Sequence, residues 1–561
     1  QVYVDGKRVG LRMFYAPVAA VERIVFRTGV PRTFPTVDTP ADQTYDLPNA
    51  GAQDPLAEYG IANVKTSSTD KDASSAFLKY ADFSHYADYF NGMEDENIVQ
   101  AIPNEKASEW MEENIPLFEC PQHNFEEMYY YRWWSLRKHI KETPVGYGMT
   151  EFLVQRSYSD KYNLIACAIG HHIYESRWLR DPKYLDQIIH TWYRGNDGGP
   201  MKKMDKFSSW NADAVLARYM VDGDKDYLLD MKKDLETEYQ RWERTNRLKN
   251  GLYWQDGMEE SISGGRRKKY ARPTINSYMY GNAKALSCIG ILSGDEGMAM
   301  KYGMRADTLK NLVENELWNT RHQFFETMRT DSSANVREAI GYIPWYFNLP
   351  DTTQKYEIAW KEIMDEKGFS APYGLTTAER RHPEFRTRGV GKCEWDGAIW
   401  PFASAQTLTA MANFMNNYPQ TVLSDSVYFR QMELYVESQY HRGRPYIGEY
   451  LDEVTGYWLK GDQERSRYYN HSTFNDLIIT GLIGLRPRLD NTIEVNPLIP
   501  ADKWDWFCLD NVLYHGHNLT ILWDKNGDRY HCGKGLRIFV DGKEVGQANT
   551  LTKIVCENAL K

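Results

Sequence analysis

No run of about 18 apolar residues occurs anywhere in the chain, so no membrane-spanning helix is expected. Cys-x-x-Cys pairs are also absent. The seven cysteines (Cys120, Cys167, Cys288, Cys393, Cys508, Cys532 and Cys556) are odd in number, so neither a disulfide framework nor a zinc cluster is indicated. Cys167 and Cys288 lie in apolar helical patterns and read as core thiols. Basic blocks with interleaved aromatics are missing and the net charge is -10, which argues against nucleic acid as a partner. No Gly-rich phosphate loop, His-Glu-x-x-His or nucleophile elbow is present, which leaves no basis for phosphate-loop, zinc-protease or serine-hydrolase chemistry. His171 and His172 are adjacent, so they point to different faces of a helix and are poor joint ligands. Asp222-Gly223-Asp224-Lys225-Asp226 alternates carboxylates but lacks the later residues of a calcium loop, and reads as a turn between helices. Neither a metal nor a cofactor is expected.

Aromatic residues are abundant: 17 Trp and 39 Tyr among 561 residues. Most must anchor a large core, but aromatic faces also pack against the C–H faces of sugars, which suits a carbohydrate cleft. The length exceeds one ordinary core, so two or three domains are expected. Both ends alternate in hydropathy and then turn on Asp-Gly, at Val2–Gly10 and at Ile538–Gly546, the signal of a type I′ hairpin. Residues 31–75, rich in Pro, Thr, Asp and Ala, read as an irregular linker. From about residue 124 to 486 the period becomes helical. Stripes such as Tyr184, Leu185, Ile188, Ile189 and Trp192, or Leu228, Met231, Leu235, Tyr239 and Trp242, each fit one helix face, as do those over 275–289, 302–313, 356–363, 405–415 and 474–485, with a similar pattern near 338–347. About twelve such helices are expected, and twelve helices in six hairpins can close into a toroid. The absence of a fixed repeat of 30 to 45 residues argues against a solenoid. The predicted fold class is therefore mainly α, an (α/α)6 toroid with small β-rich segments at both termini. Its boundaries are a β-rich segment and linker at 1–95, a barrel at 96–487 and a β domain at 488–561.

Three loops carry the chemistry. Trp254-Gln255-Asp256-Gly257-Met258-Glu259-Glu260-Ser261 resembles the "E-S-G-M-D-N-S" loop of trehalases, glycoside hydrolase family 63 and mannosylglycerate hydrolases. The resemblance places the family's general acid on Glu259, with Glu where the family has Asp; Asp256 and Glu260 are rivals. Gly448-Glu449-Tyr450-Leu451-Asp452-Glu453-Val454-Thr455-Gly456 is similar to the "E-x-Y-D-P-x-T-G" segment, which places the general base on Glu449. Asp452 and Thr455-Gly456 read as turn residues. Glu394-Trp395-Asp396-Gly397-Ala398-Ile399-Trp400-Pro401 resembles "Y-W-R-G-P-I-W-P", a loop that opens an inner helix and contacts sugar; Asp396 stands where the family has Arg. Trp133 and Trp134 on the first barrel helix, Trp210 at the start of another and His471 before the last are further candidate sugar contacts by the same resemblance. Core packing and helix capping compete with that reading at each of them.

The resemblance covers about residues 120 to 490 and implies a glycoside hydrolase acting on an oligo- or polysaccharide. Inversion requires a protonated acid at the leaving oxygen and an ionised carboxylate activating water on the other face. Different environments supply the two pKa values. Glu259 is expected to be buried or beside another carboxylate, and Glu449 to be better solvated. Rival readings are a polysaccharide lyase on an (α/α) toroid, which the Arg266-Arg267-Lys268-Lys269 run keeps open, and a non-catalytic carbohydrate-binding protein. Residue 1 is Gln and no signal peptide is visible, so the chain is expected to begin after a processing site or inside a longer protein. A periplasmic or secreted location is favoured for a polysaccharide-degrading enzyme; the oligomeric state and the sugar are left open by the sequence.

Overall fold

A computed structural model describes residues 2–4, 7–9, 77–255, 261–264, 268–352, 355–388 and 394–560. The chain divides into two compact units, residues 1–62 with 440–444 and residues 63–439 with 445–561. In the first, Val2–Val4 pairs antiparallel with Lys7–Val9, as the alternation predicts; the Asp5-Gly6 turn and the 31–75 linker lie outside the described residues.

The second unit is built from helices α1 (Ser84–Gly92), α2 (Ala107–Asn114), α3 (His123–Arg137), α4 (Ile169–Ser176), α5 (Pro182–Arg194), α6 (Asn211–Asp222), α7 (Lys225–Asn246), α8 (Pro273–Ser293), α9 (Glu296–Leu312), α10 (Ile343–Tyr346), α11 (Pro401–Asn417), α12 (Asp425–Glu437) and α13 (Asn475–Leu477). Their ends follow local chemistry. Asp181, Asp224 and Asp295 cap α5, α7 and α9 by accepting backbone N–H groups, and Pro sits in the first turn of α5, α8 and α11. Gly223 and Gly294 close α6 and α8 in the left-handed conformation.

The packing order of six helices returns to its start. Helix α4 packs on α6, α6 on α8, α8 on α10, α10 on α11, α11 on α13 and α13 on α4. The others lie against this ring: α5 on α4, α7 on α6 and α8, α9 on α8, and α12 on α11 and α3. The ring helices are buried on most faces, whereas α5 and α7 bury one stripe each, the one the periodicity predicts. Close approach within the ring depends on small residues. A Cβ added at Gly170 on α4 would lie 2.2 Å from the Trp210 indole. Gly170→Ala is therefore expected to cost about 1–3 kcal/mol of stability by overpacking, read as a lower Tm in calorimetry; an unchanged Tm would mean that Trp210 yields freely.

Some helical expectations are corrected. The pattern at 356–363 is a 3-10 helix, Glu357–Ile363, and 338–347 is a 3-10 turn followed by the single turn α10. The pattern at 474–485 is a short α13 followed by a π-helical stretch, Ile478–Leu482. Burial, not regular helicity, is what these stripes encode: Trp345, Trp360 and Phe414 pack together there, with Trp360 stacked on Phe414 at 5.2 Å. Helix α1 falls inside the segment expected to be β-rich and linker; Tyr86, Ala87, Tyr89 and Phe90 form its buried side.

The C-terminal strands form a five-stranded antiparallel sheet in the order Lys543–Ala548, Gly535–Val540, His517–Asp524, Trp506–Tyr514, Leu117–Glu119. Asp541 and Gly542 both have positive φ (47° and 76°), the type I′ geometry that the Asp-Gly signal predicts. The fifth strand, Leu117–Glu119, precedes all the ring helices in sequence. Asp510 adds a second long-range tie by accepting the Phe77 and Leu78 N–H groups at 2.6 and 2.8 Å. Among the described residues, no helix is long and apolar enough to cross a membrane.

Candidate active site

Glu449 stands on a loop that is knitted to the tryptophan-bearing loop before α11. Leu451 and Ile399 exchange backbone hydrogen bonds at 2.9 and 3.0 Å. Arg386 joins the same two loops through side chains: it donates to Glu394 at 2.8 Å and lies 3.2 Å from Glu453 and 3.7 Å from Asp452. Asp452 also accepts the Val454 and Thr455 N–H groups, closing the turn that its position in the sequence suggests. A Cβ at Gly448 would lie 2.7 Å from Trp458 and 2.8 Å from Tyr446, so glycine lets the chain pass between these rings into Glu449.

Contrary to the expectation of a well-solvated base, Glu449 is 5% exposed. Two cations replace the lost water: Lys460 Nζ at 3.3 Å and the Arg465 guanidinium, which also donates to the carboxylate. Lys460 itself lies 4.3 Å from the Tyr450 ring centre.

The structure gathers four of the sequence-predicted contacts into one aromatic cluster beside this loop. Trp400 meets Trp395 at 4.2 Å, Tyr450 at 4.8 Å and His471 at 5.6 Å between ring centres. Phe402 extends the cluster from His471 to His171 (5.9 and 4.6 Å), and His171 stands edge-on to Trp210 at 4.9 Å. Burial holds the His171 and His471 imidazoles well below their usual pKa, that is, neutral. Asp396 is fully buried and its carboxylate accepts the Arg388 N–H at 2.9 Å. Trp133 and Trp134 lie elsewhere, both fully enclosed: Trp133 edge-on to Tyr129, and Trp134 donating to Asn91 and meeting Phe90 of α1.

Glu259 lies outside the described residues, as do its rivals Asp256 and Glu260, and as do Arg266 and Arg267 of the basic run. What precedes and follows Glu259 is described. Ser208, two residues before Trp210, donates to the buried Gln255. On the far side Ser263 N–H donates to Glu338 at 3.0 Å. The described residues on either side of 256–260 thus stand near the start of α6 and beside Glu338.

One residue escaped the sequence reading. Glu151 is 3% exposed and accepts hydrogen bonds from Tyr469 Oη and, at 3.1 Å, from Cys167 Sγ. Burial pushes its carboxyl up to about 7; the Tyr469 and Cys167 bonds oppose the rise, and the Glu449 charge adds to it. No motif marks it: Thr150-Glu151-Phe152 carries no pattern, and only the fold brings it to residues 447–470.

Comparison with known proteins bears on this geometry. A family model described as "Mannosylglycerate hydrolase MGH1-like glycoside hydrolase domain" matches residues 161–472, a span that includes Glu449, Trp400 and the acidic loop. The chain belongs to this glycoside hydrolase family. Residues 485–546, most of the five-stranded sheet, match the C-terminal domain of glycosyl hydrolase family 65, and residues 1–43 match a sialidase-like CBM domain. A solved structure named "Sialidase" is 91% identical with a TM-score of 0.86; the match covers 99% of this chain but 52% of that one, so the chain spans about half of that protein's length. The glycoside hydrolase family 78 rhamnosidase of Bacillus sp. GL1 shares the fold at 9% identity and a TM-score of 0.54, over 76% of this chain and 41% of that one.

Proposed function

We propose that this family member cleaves a glycosidic bond with inversion, inside an (α/α)6 toroid spanning about residues 96–487, with Glu449 as general base and Glu259 as general acid. The observation that carries the reading is Glu449 itself: a nearly buried carboxylate, held by two cations, on a loop whose next residue, Tyr450, packs on Trp400. The cyclic packing of α4, α6, α8, α10, α11 and α13 supports the toroid, because the candidate residues stand just before three of those helices. In the reaction, Glu259 protonates the leaving oxygen while Glu449 takes a proton from water attacking the opposite face. Trp400, backed by Trp395, offers the sugar an apolar wall, and His471, Trp210 and Asp396 shape the pocket around it. The proposed divisions of the chain are a β-rich segment and linker at 1–95, the barrel, and a β region from 488 whose sheet also takes in Leu117–Glu119 and which belongs to the same compact unit as the helices; the enzyme is proposed to act outside the cytoplasm.

The test is proton NMR of the first-formed product on a panel of aryl glycosides that includes sialosides, since a close relative bears that name. The expected product has the anomeric configuration opposite to the substrate. In Glu259→Gln, glycosyl fluorides are expected to recover turnover that aryl glycosides with poor leaving groups do not, because acid assistance matters least there. A retained anomer or a trapped glycosyl-enzyme would overturn inversion. An unsaturated, ultraviolet-absorbing product would make the protein a lyase, and binding without turnover in every assay would make it a carbohydrate-binding protein.

A further inference from the structure

We propose that Glu151 is a positioning residue for Glu449, anchoring Tyr469 beside the base and gating the charge of the site. The inference rests on the reading of Glu449 as the base.

The geometry ties Glu151 to the base through one segment of chain. Tyr469 Oη donates to the Glu151 carboxyl, and Tyr469 N–H donates to the Ile447 carbonyl at 3.1 Å, two residues before Glu449. Asn470 N–H donates to the Glu151 carbonyl at 3.0 Å. The next side chain, Phe152, packs on Tyr469 at 4.5 Å and lies 5.7 Å beneath the Arg465 guanidinium that binds Glu449. Residues 151–152 therefore touch both the segment that supports the base and the cation that holds it. Tyr469 also meets the tilted ring of His471 at 3.5 Å between centres, and His471 in turn meets Trp400, so a shift of Tyr469 would reach the proposed sugar wall.

The groups that face the Glu151 carboxyl are Tyr469, Cys167, Glu449, Arg465 and Tyr158. With Glu151 protonated, the Arg465 charge serves Glu449. Ionised Glu151 adds a second negative charge that competes for Arg465. Its pKa of about 7, raised above the ordinary 4.5, means that this change occurs as the pH rises through neutrality. Turnover is then lost on the alkaline side for a reason separate from deprotonation of the acid.

The experiment compares kcat/KM against pH for the wild type, Glu151→Gln and Tyr469→Phe, with Tm against pH measured on the same proteins. Glu151→Gln is neutral at every pH, so its alkaline limb is expected half a unit or more above that of the wild type, with part of the turnover retained. Tyr469→Phe removes a hydrogen bond that holds the Glu151 pKa down, so its limb is also expected to move up. Between pH 5 and 8 the wild type is expected to lose more Tm than Glu151→Gln, because it must ionise one more buried carboxyl, Glu151, than the variant does. Identical limbs in all three proteins, or equal loss of Tm, would overturn the inference. If none of the proteins hydrolyses any glycoside, the reading of Glu449 as a base fails, and the Tm comparison alone still decides whether Glu151 is a neutral buried carboxyl.

Discussion

Glu449→Gln is expected to lower kcat by about 10³-fold, the scale of a lost general base, while a substrate analogue still binds. The substitution also removes a charge partner of Lys460, whose side chain is 4% exposed. Stripping one partner from a buried ion pair costs about 3–5 kcal/mol when both charges are enclosed; Arg465, at 22% exposed, reaches water and softens that cost. A measurable fall in Tm should therefore accompany the loss of activity. Calorimetry with and without a competitive sugar separates the two effects. A ligand that still raises Tm in the variant shows a pocket intact and a reaction disabled. Turnover within tenfold of the wild type would remove Glu449 from the reaction.

Arg386→Met should be the most destabilising single change near the site. Arg386 stands among Glu394, Asp452 and Glu453, whose side chains are 1%, 6% and 3% exposed. Without it three buried carboxylates lose the cation they share, and the expected cost is about 3–5 kcal/mol or protonation of the group at neutral pH. The tryptophan loop and the base loop would then separate, so kcat should fall with stability although Arg386 touches no proposed reacting atom. Adding Glu453→Gln to the variant should recover part of the Tm, because it removes one of the crowded charges. A double variant no more stable than the single one would show that Arg386 acts through packing alone.

How much of this was legible beforehand differs by element. The stripes on α5, α7 and α9 were, because each packs one face on a neighbour and the period of 3.6 follows from that; on α8 and α11, buried on most faces, the stripe is only part of what is enclosed. The 3-10 helix at Glu357–Ile363 and the π-helical turn at Ile478–Leu482 were not: their apolar spacing reports burial, and short irregular turns bury the same residues as a regular helix. Glu449 was singled out only by the resemblance of residues 448–456 to a family segment; the turn at Asp452 was legible by itself, because its cause is local. The cations that hold Glu449 carry no such mark, since Lys460 and Arg465 sit in a polar stretch that reads as solvated loop. Glu151 was invisible for the same reason. It is a buried acid because the tertiary structure encloses it, and only that structure brings its partners Tyr469 and Cys167 to it.

The strand Leu117–Glu119 has a consequence for how the protein is made. Its hydrogen-bonding partner, Trp506–Tyr514, leaves the ribosome only after every helix of the ring has been synthesised. The anchor from Asp510 to the Phe77 amide spans 433 positions and waits equally long. During elongation the segment around Leu117 therefore carries an open strand edge that nothing yet covers, the kind of edge that recruits other chains. Emergence of residues 506–514 from the ribosome lets this strand pair with Leu117–Glu119, a latch that ties the front of the catalytic unit to its back. A chain truncated before residue 506 is expected to keep its helices yet aggregate, and supplying the missing strands as a separate polypeptide during refolding should restore solubility.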